Sequence, residues 1–239
     1  MNKYKKIVSI AATAVMCVAP MSVYAQEAQT DVIEAVAEKK QDTESSSVPV
    51  LQKEGIEISE GTGYDLSKEP GAATVKALEQ GTIVISYKTT SENAIQSLLS
   101  VGNGTKGNQD RHFHLYITNA GGVGMELRNT DGEFKYTLDC PAAVRGSYKG
   151  ERVSNTVALK ADKENKQYKL FANGELIATL DQEAFKFISD ITGVDNVMLG
   201  GTMRQGTVAY PFGGSIERMQ VYRDVLSDDE LIAVTGKTI

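Results

Sequence analysis

From Val50 onward the chain is a series of short runs in which apolar and polar residues alternate, separated by Gly, Asn and Asp. Such alternation is typical of β-strands with one buried face. The predicted strands are Thr82–Tyr87, His112–Thr118, Gly124–Asn129, Glu133–Leu138, Thr156–Ala161, Gln167–Phe171, Glu175–Thr179, Val197–Gly201 and Ser215–Tyr222. Many short strands with turns between them predict an all-β sandwich or barrel.

Turn and helix signals complete this outline. Asn173-Gly174 lies between two predicted strands and is the strongest short hairpin signal, and Asp131-Gly132 marks a second turn. Helix is expected to be minor. A short helix is predicted over Glu183–Asp190, and Ser227 with Glu230 forms a capping box that starts another near the C-terminus.

The first 49 residues differ from the rest. Lys3, Lys5 and Lys6 precede a short apolar run that ends at a small-residue cleavage site, so residues 1–25 are predicted to be a secretory signal peptide. Residues 26–49 are acidic and Ser-rich without an aromatic side chain, and are predicted to be a disordered tether, with a transient helix over Asp31–Lys40. Residues 50–239 form the predicted folded domain, and the protein is expected to be secreted or displayed at the cell surface.

Composition excludes several classes. Beyond the signal peptide only Cys140 remains, so the fold cannot depend on an internal disulfide or on a cysteine metal site. The net charge of −6 argues against a nucleic-acid partner. The apolar run in the signal peptide is too short for a transmembrane helix, so membrane insertion is not expected.

One strand face combines groups that suit a small acidic ligand. Pairing Leu115 with Leu127 and Ile117 with Met125 gives a continuous apolar face. The opposite face then carries Tyr116 across from Glu126, and His114 across from Arg128. An Arg fork matches a ligand carboxylate, a Glu accepts from amide or hydroxyl donors, and Tyr offers an amphipathic platform. The alternative is an ordinary solvated strand face with a cross-strand ion pair.

A second candidate element is the long connection from Gly200 to Gly214, which glycines bracket at both ends. Long connections in compact domains are often functional, and this one supplies Arg204 and Tyr210. The alternative is a flexible surface loop.

Other chemistries have weaker support. His112 and His114 lie on one strand face but have no further His or Cys partner, so no metal site is predicted. Glu126 has no convincing second carboxylate on its face, as a glycosidase would require. The Gly102-x-Gly104-x-x-Gly107 pattern is not followed by a helix, and no Gly-x-Ser-x-Gly nucleophile elbow is present. We therefore expect no catalytic residue and no cofactor in this chain.

The segment from Gly213 to Leu231 resembles the closing strand and helix of concanavalin-like and laminin-G-like jelly rolls. A more specific set resembles the sialic-acid site of the family-40 carbohydrate-binding modules found on bacterial sialidases. That set comprises Ile95, Tyr116, Glu126, Arg128, Arg204 and Tyr210. The N-terminal signal, the tether and the position of the domain are similar to the N-terminus of a bacterial intramolecular trans-sialidase.

The resemblance implies a role for each of these residues. Arg128 and Arg204 would clamp the carboxylate of sialic acid, and Glu126 would accept from the N-acetyl amide and orient the two arginines. Ile95 would line the pocket for the acetyl methyl group, while Tyr116 and Tyr210 would pack against the sugar. The implied partners are terminal sialic acid (N-acetylneuraminic acid) on glycans, sialyllactose and mucin, bound by a monomeric module tethered to a catalytic domain.

The resemblance also bears on catalysis. Sialidase chemistry belongs to a six-bladed propeller with Trp-containing boxes, and this chain has no Trp and ends at Ile239. The chain is therefore predicted to be either part of a larger enzyme or a free-standing lectin, and we favour the former. Two alternatives stay open, a jelly-roll glycoside hydrolase or lyase and a laminin-G-like protein-adhesion module.

Overall fold

The computed structural model describes residues 47–90, 95–104, 111–129, 133–140 and 153–237. The predicted signal peptide, the tether up to residue 46 with its transient helix, and the Asp131-Gly132 turn lie outside these ranges. None of the helices in the described ranges has the length and apolar character needed to span a bilayer.

Two six-stranded antiparallel sheets form the fold, which confirms the predicted jelly-roll sandwich. The back sheet has the order β1 (Leu51–Ile58), β14 (Gly214–Tyr222), β3 (Gly81–Thr89), β8 (Asn155–Asp162), β9 (Gln167–Ala172) and β10 (Glu175–Asp181). The front sheet has the order β2 (Tyr64–Asp65), β11 (Asn196–Leu199), β4 (Gln96–Gly102), β5 (His112–Ile117), β6 (Val123–Asn129) and β7 (Phe134–Cys140). The first and last strands of the domain, β1 and β14, pair side by side, so the sheet closes the domain at both of its ends.

The core lies between the two sheets and is continuous. Alternate residues of β5 and β6 point inward, and Phe113, Leu115 and Leu127 are fully buried there. Opposite them, Ile85 and Leu159 of the back sheet are equally buried. Full burial of one such side chain contributes about 1.5–3 kcal/mol, so the apolar alternation read from the sequence is what holds the two sheets together.

Helix is minor, as predicted. The helices are α1 (Ala72–Lys76) and α2 (Asp228–Thr235). Ser227 caps α2: its hydroxyl accepts from the Glu230 amide at 3.2 Å, while Glu230 accepts from the Ser227 amide at 2.7 Å. This confirms the capping box. The prediction of a helix over Glu183–Asp190 is wrong, because only the 3₁₀ turn Ile188–Asp190 forms there.

Helix α2 covers part of the outer surface of the back sheet. Leu231 of the helix is fully buried there in a cluster with Phe171 and Tyr222. The back sheet is therefore apolar on both surfaces where α2 lies, and a second, smaller core forms outside the sandwich.

The β9–β10 hairpin forms as predicted. Asn173 and Gly174 have φ values of 48° and 90°. Both values lie in the left-handed region that a tight two-residue hairpin turn requires, and Gly and Asn adopt it most readily.

The predicted register of the β5–β6 hairpin is wrong by two residues. Leu115 pairs with Met125 rather than Leu127, and Ile117 pairs with Val123. A shift of two residues leaves every side chain on its predicted face, because strand side chains alternate with a period of two. It does change the neighbours: Tyr116 lies opposite Gly124, and His114 lies opposite Glu126.

Candidate functional site

The side chains of β5 and β6 that point away from the core form one polar strip on the front sheet. β5 contributes His112, His114 and Tyr116, and β6 contributes Glu126 and Arg128. The predicted grouping of Tyr116, Glu126 and Arg128 on one face is therefore found in the structure. We call this outward surface of β4 to β7 the front face.

The front face is partly covered, unlike the solvated strand face that is the alternative interpretation of these residues: His112 and His114 are buried, whereas Arg128 stays partly exposed. The connection from Gly200 to Gly214 is a small hairpin of β12 (Thr202–Arg204) and β13 (Thr207–Ala209), not an irregular loop. Its base is fastened to β4, where the Ser97 amide donates to the Tyr210 carbonyl at 2.9 Å and the Thr202 hydroxyl donates to the Ser97 hydroxyl at 3.1 Å.

The β12–β13 hairpin buries the two histidines of the strip. His112 and His114 are each only 4% exposed. The His114 ring lies between two tyrosines: its centroid is 4.4 Å from that of Tyr116, in a stacked arrangement, and 5.4 Å from that of Tyr210. The His114 ring thus contacts an aromatic residue of its own strand and one from the hairpin.

His114 is held in its neutral form. Burial is the main reason that its pKa falls from 6.5 to about 3, and the nearby charge of His112 lowers it further. The charges of Arg204 and Arg128 act in the same direction. Both guanidinium groups therefore lie close enough to one imidazole to influence its titration, although one comes from β6 and the other from the hairpin.

Glu126 is the anionic centre of the strip. Its Oε1 lies 3.1 Å from His112 Nε2 and 3.5 Å from Arg128 Nη1, and its Oε2 lies 3.5 Å from Lys135 Nζ. Burial alone would raise the pKa of this carboxyl. The hydrogen bond with His112 and the charges of His112 and Arg128 outweigh that effect and hold the pKa at about 2. Glu126 is therefore ionised at any physiological pH.

Arg204 and Tyr210 are joined within the hairpin. Arg204 Nη1 donates to the Tyr210 hydroxyl at 2.7 Å, and the guanidinium carbon lies 5.4 Å from the centre of the Tyr210 ring. Tyr210 has a φ of 52°, a left-handed conformation that is uncommon for an aromatic residue. Backbone strain of this kind is concentrated at ligand-binding positions, where the surrounding structure fixes it.

The turn of the hairpin explains why it forms. Gln205 and Gly206 have φ values of 52° and 75°, the pair of left-handed conformations that a two-residue hairpin turn needs. The Gly206 amide also donates to the Gly104 carbonyl at 2.9 Å. The tip of the hairpin is thus fastened to the end of the front sheet where β4 ends and β5 begins.

Ile95 is half-buried. It lies directly before the first residue of β4 and two residues before Ser97. Since Ser97 pairs with Tyr116 and contacts the hairpin, Ile95 lies at the Tyr116 end of the front face. All six predicted site residues are thus placed on or beside this face.

Asp139 of β7 also faces this surface, and it was not predicted. It accepts a hydrogen bond from the Tyr116 hydroxyl at 2.5 Å and pairs through the backbone with Gly124. The expectation that Glu126 has no second carboxylate on its face is therefore wrong. Burial first, and then the hydrogen bond to Asp139, raise the pKa of the Tyr116 phenol, so this hydroxyl keeps its proton.

A metal ion is the other ligand that this strip can accommodate. Donor atoms of His112, His114 and Glu126 lie within 4.8 Å of one another, the one such group among the described residues. Glu126 already accepts from His112 and Arg128, however, and two guanidinium groups near His114 oppose a further positive charge. The charge pattern is that of an anion-binding surface.

Comparisons with known proteins identify the family of this chain. A family model described as the N-terminal domain of sialidase matches residues 24–238. The chain is 64% identical over 223 residues to an anhydrosialidase of Macrobdella decora; the match covers 91% of this chain and 29% of that relative. The chain therefore spans less than a third of the length of this longer protein.

Two solved structures show the same fold. Both are of the CBM40 domain of the Ruminococcus gnavus IT-sialidase, one bound to α2,6 sialyllactose and the other to α2,3 sialyllactose. The chain is similar to them at 99% and 96% identity, and each match has a TM-score of 0.76. Each covers 79% of this chain and the whole of the other.

Proposed function

Because this chain belongs to the family of sialidase N-terminal domains, we propose that it is a non-catalytic carbohydrate-binding module for terminal sialic acid. It would hold an attached sialidase or intramolecular trans-sialidase on sialylated glycoconjugates such as mucins. The predicted signal peptide supports secretion as the route by which it reaches them. The sialyllactose complexes of the CBM40 domain of the Ruminococcus gnavus IT-sialidase support the choice of ligand.

One arrangement carries the proposal: guanidinium groups from two different elements lie around the buried His114 ring. Arg204 bonds the hydroxyl of Tyr210, whose ring centroid is 5.4 Å from that of His114. Arg128 lies 3.5 Å from Glu126, the residue opposite His114 on the neighbouring strand. A terminal sialic acid presents a carboxylate, and an Arg fork is the side chain best matched to that group. Two guanidinium groups from different elements give the ligand carboxylate partners on two sides. His114 stays neutral beneath them and adds no competing charge.

The other site residues fit the remaining groups of the sugar. Glu126 is ionised and half-buried, so it can accept from the N-acetyl amide while it holds Arg128 in place. Ile95 provides apolar surface for the acetyl methyl group at the Tyr116 end. Tyr116 and Tyr210 provide aromatic surface, and their hydroxyls are already oriented by Asp139 and Arg204.

The site binds a single terminal sugar, and this limits its affinity for glycans. A monosaccharide bound on one sheet face makes few contacts, so we expect a Kd between roughly 10 μM and 1 mM. Firm attachment would come from several modules or from the link to a catalytic domain, since a tethered second contact gains from its high effective concentration.

We also propose that the module accepts both α2,3 and α2,6 linkages. All the site residues contact the terminal sugar in this scheme, and none is assigned to the sugar beyond it. The two CBM40 structures, with one linkage each, support this reading.

Glycan-array binding of the isolated domain before and after enzymatic removal of sialic acid tests the proposal. We expect binding to α2,3- and α2,6-sialylated glycans and its loss after desialylation. Binding that survives desialylation would instead identify a protein-adhesion module. Mass spectrometry of the same glycans after incubation should show no product, and turnover by the isolated chain would identify a hydrolase or lyase.

A further inference from the structure

The side chain of Tyr116 extends across β6 to a hydrogen-bond partner on β7. Tyr116 is on β5 and Asp139 is on β7, with β6 between them, yet the phenol hydroxyl lies 2.5 Å from Asp139 Oδ1. The residue of β6 that pairs with both of them is Gly124. The ring therefore lies over the one position of β6 on this face that has no side chain.

The space above Gly124 is already filled by this contact. A Cβ atom at Gly124 would approach Tyr116 Cε2 and Cζ to 2.7 Å and would also clash with the Asp139 carboxylate. Ordinary side-chain contacts do not come so close, so any larger residue would displace either the ring or the carboxylate. Gly124 is thus required by the Tyr116–Asp139 pair rather than by the backbone of the strand.

The hydrogen bond decides what the phenol can offer to a ligand. A phenol has one proton and accepting lone pairs. The Tyr116 hydroxyl donates to Asp139 Oδ1, so the phenol proton points at Asp139. The oxygen that faces the ligand is then left to accept, and the neighbouring carboxylate strengthens it as an acceptor by polarising the bond.

This acceptor lies at one end of a face with opposite charge at the other end. Arg128 pairs with His112, four residues along β5 from Tyr116, a separation of about 13 Å. The hairpin tip next to Arg204 is fastened to Gly104 at that same His112 end. Glu126 is already paired with His112 and Arg128, whereas Asp139 places a negative charge beside Tyr116. A ligand carboxylate is therefore expected at the two guanidinium groups and not beside Tyr116, which gives the bound sugar one preferred direction.

We propose that Asp139 is a positioning residue of the glycan site, which fixes Tyr116 as a hydrogen-bond acceptor for a donor group of the sugar, and that Gly124 provides the gap that this contact needs. The inference rests on the proposed function, since it concerns how the same site selects the orientation of sialic acid. Asp139 itself is exposed on the outermost strand of the sheet and acts through Tyr116.

A double-mutant cycle tests this role with sialyllactose as the probe and calorimetry as the readout. Asp139→Ala and Tyr116→Phe should each weaken the Kd by about two- to tenfold, the range of one net hydrogen bond. The double variant should be no weaker than the weaker single variant, because Asp139 acts only through the Tyr116 hydroxyl, which Tyr116→Phe has already removed. Effects that multiply in the double variant, or native affinity in Asp139→Ala, would overturn the proposal.

Rescue and control variants separate positioning from a structural role. Asp139→Asn retains a carbonyl oxygen that can accept from the phenol, so its affinity should lie between native and Asp139→Ala; equal loss in both variants would contradict the account. Asp181→Ala is the matched control, since Asp181 is an exposed carboxylate on the edge strand of the back sheet and accepts from Gln167 Nε2 at 2.6 Å. It should bind normally.

Gly124→Ala provides an independent test, because it should weaken binding to about the level of Asp139→Ala while both parent side chains remain. Native affinity in this variant would contradict the proposal. Arg128→Ala in the same series separates a failure of the positioning role from a failure of the proposed function. If Arg128→Ala loses binding and Asp139→Ala does not, the positioning role alone fails; if both bind normally, the proposed function fails as well.

Discussion

Arg204 Nη1 donates to the hydroxyl of Tyr210 at 2.7 Å, and the two residues belong to opposite sides of the same small hairpin. The hydrogen bond holds one of the two guanidinium groups in a fixed orientation, which lowers the entropy that binding must remove from a long, flexible side chain.

Arg204 and Arg128 should each be essential for binding. Truncation of either to Ala leaves a ligand carboxylate incompletely paired and should cost about 2 kcal/mol, or about 30-fold in Kd, by calorimetry with sialyllactose. Arg223→Ala is the control, since Arg223 is exposed on the segment after β14 and away from the front face. Near-native affinity in Arg128→Ala or Arg204→Ala would refute the site.

The hydroxyl of Tyr210 should matter apart from its ring. Tyr210→Phe keeps the aromatic surface next to His114 but removes the acceptor that orients Arg204, so we expect about a two- to tenfold weaker Kd. Tyr64→Phe, a half-buried tyrosine on β2 at the opposite edge of the front sheet, should have no effect. If both variants bind like the native protein, the hydrogen bond to Arg204 does not contribute to recognition.

Stability should fall with acid, in part because of His114. Its pKa is 6.5 when exposed and about 3 in the fold, so below pH 6.5 the unfolded chain binds a proton that the folded protein does not. Folding therefore loses about 1.4 kcal/mol per pH unit from this residue between pH 6.5 and pH 3. Glu126 adds to the loss below about pH 4.5, because its folded pKa is about 2.

Nuclear magnetic resonance can measure the titration of His114 directly, because the chain contains only two histidines. The His114 imidazole signals should stay unchanged from pH 8 to pH 5, and His112→Gln identifies them. A His114 signal that titrates near pH 6.5 would contradict its burial in a neutral form. Urea denaturation of His114→Gln should show a shallower loss of stability between pH 6.5 and pH 5 than the native protein.

Chelators should leave sialyllactose binding unchanged. Arg128 and Arg204 supply the positive charge that a ligand carboxylate needs, so no bridging cation is required. The His112, His114 and Glu126 group makes this worth measuring, because its donor atoms lie within 4.8 Å of one another. Loss of binding in EDTA, with recovery on addition of Zn²⁺ or Ca²⁺, would show that these residues act through a metal.

The strand faces could be predicted from the sequence, but the strand neighbours could not. The alternation of Phe113, Leu115 and Ile117 places Tyr116 on the opposite face whichever even register forms. A two-residue slip leaves the same faces buried, so apolar patterning cannot choose between Leu127 and Met125 as the partner of Leu115. The turn between Thr118 and Gly122 sets the register of the two strands, and the Thr118 amide donates to the Gly122 carbonyl there.

The burial of the site could not be predicted for a different reason. Gln205-Gly206 is not one of the strong hairpin dipeptides, since Gln rarely adopts a positive φ, and the connection resembled a loop. Without the hairpin, His114 would lie on a solvated face. Asp139 was missed because its partner is two strands and 23 residues away, a distance at which no periodic pattern in the sequence operates.

The hairpin leaves and rejoins the sandwich at almost one point, where the Phe212 amide donates to the Gly200 carbonyl at 3.0 Å. Phe212 is fully buried, whereas the residues between Met203 and Pro211 are at least partly exposed. Arg204 and Tyr210, two of the six proposed ligand-contacting residues, lie in this segment, so they can be replaced without repacking the core. We therefore expect substitutions in the exposed part of this hairpin to change which glycans the module prefers while the stability of the sandwich stays the same.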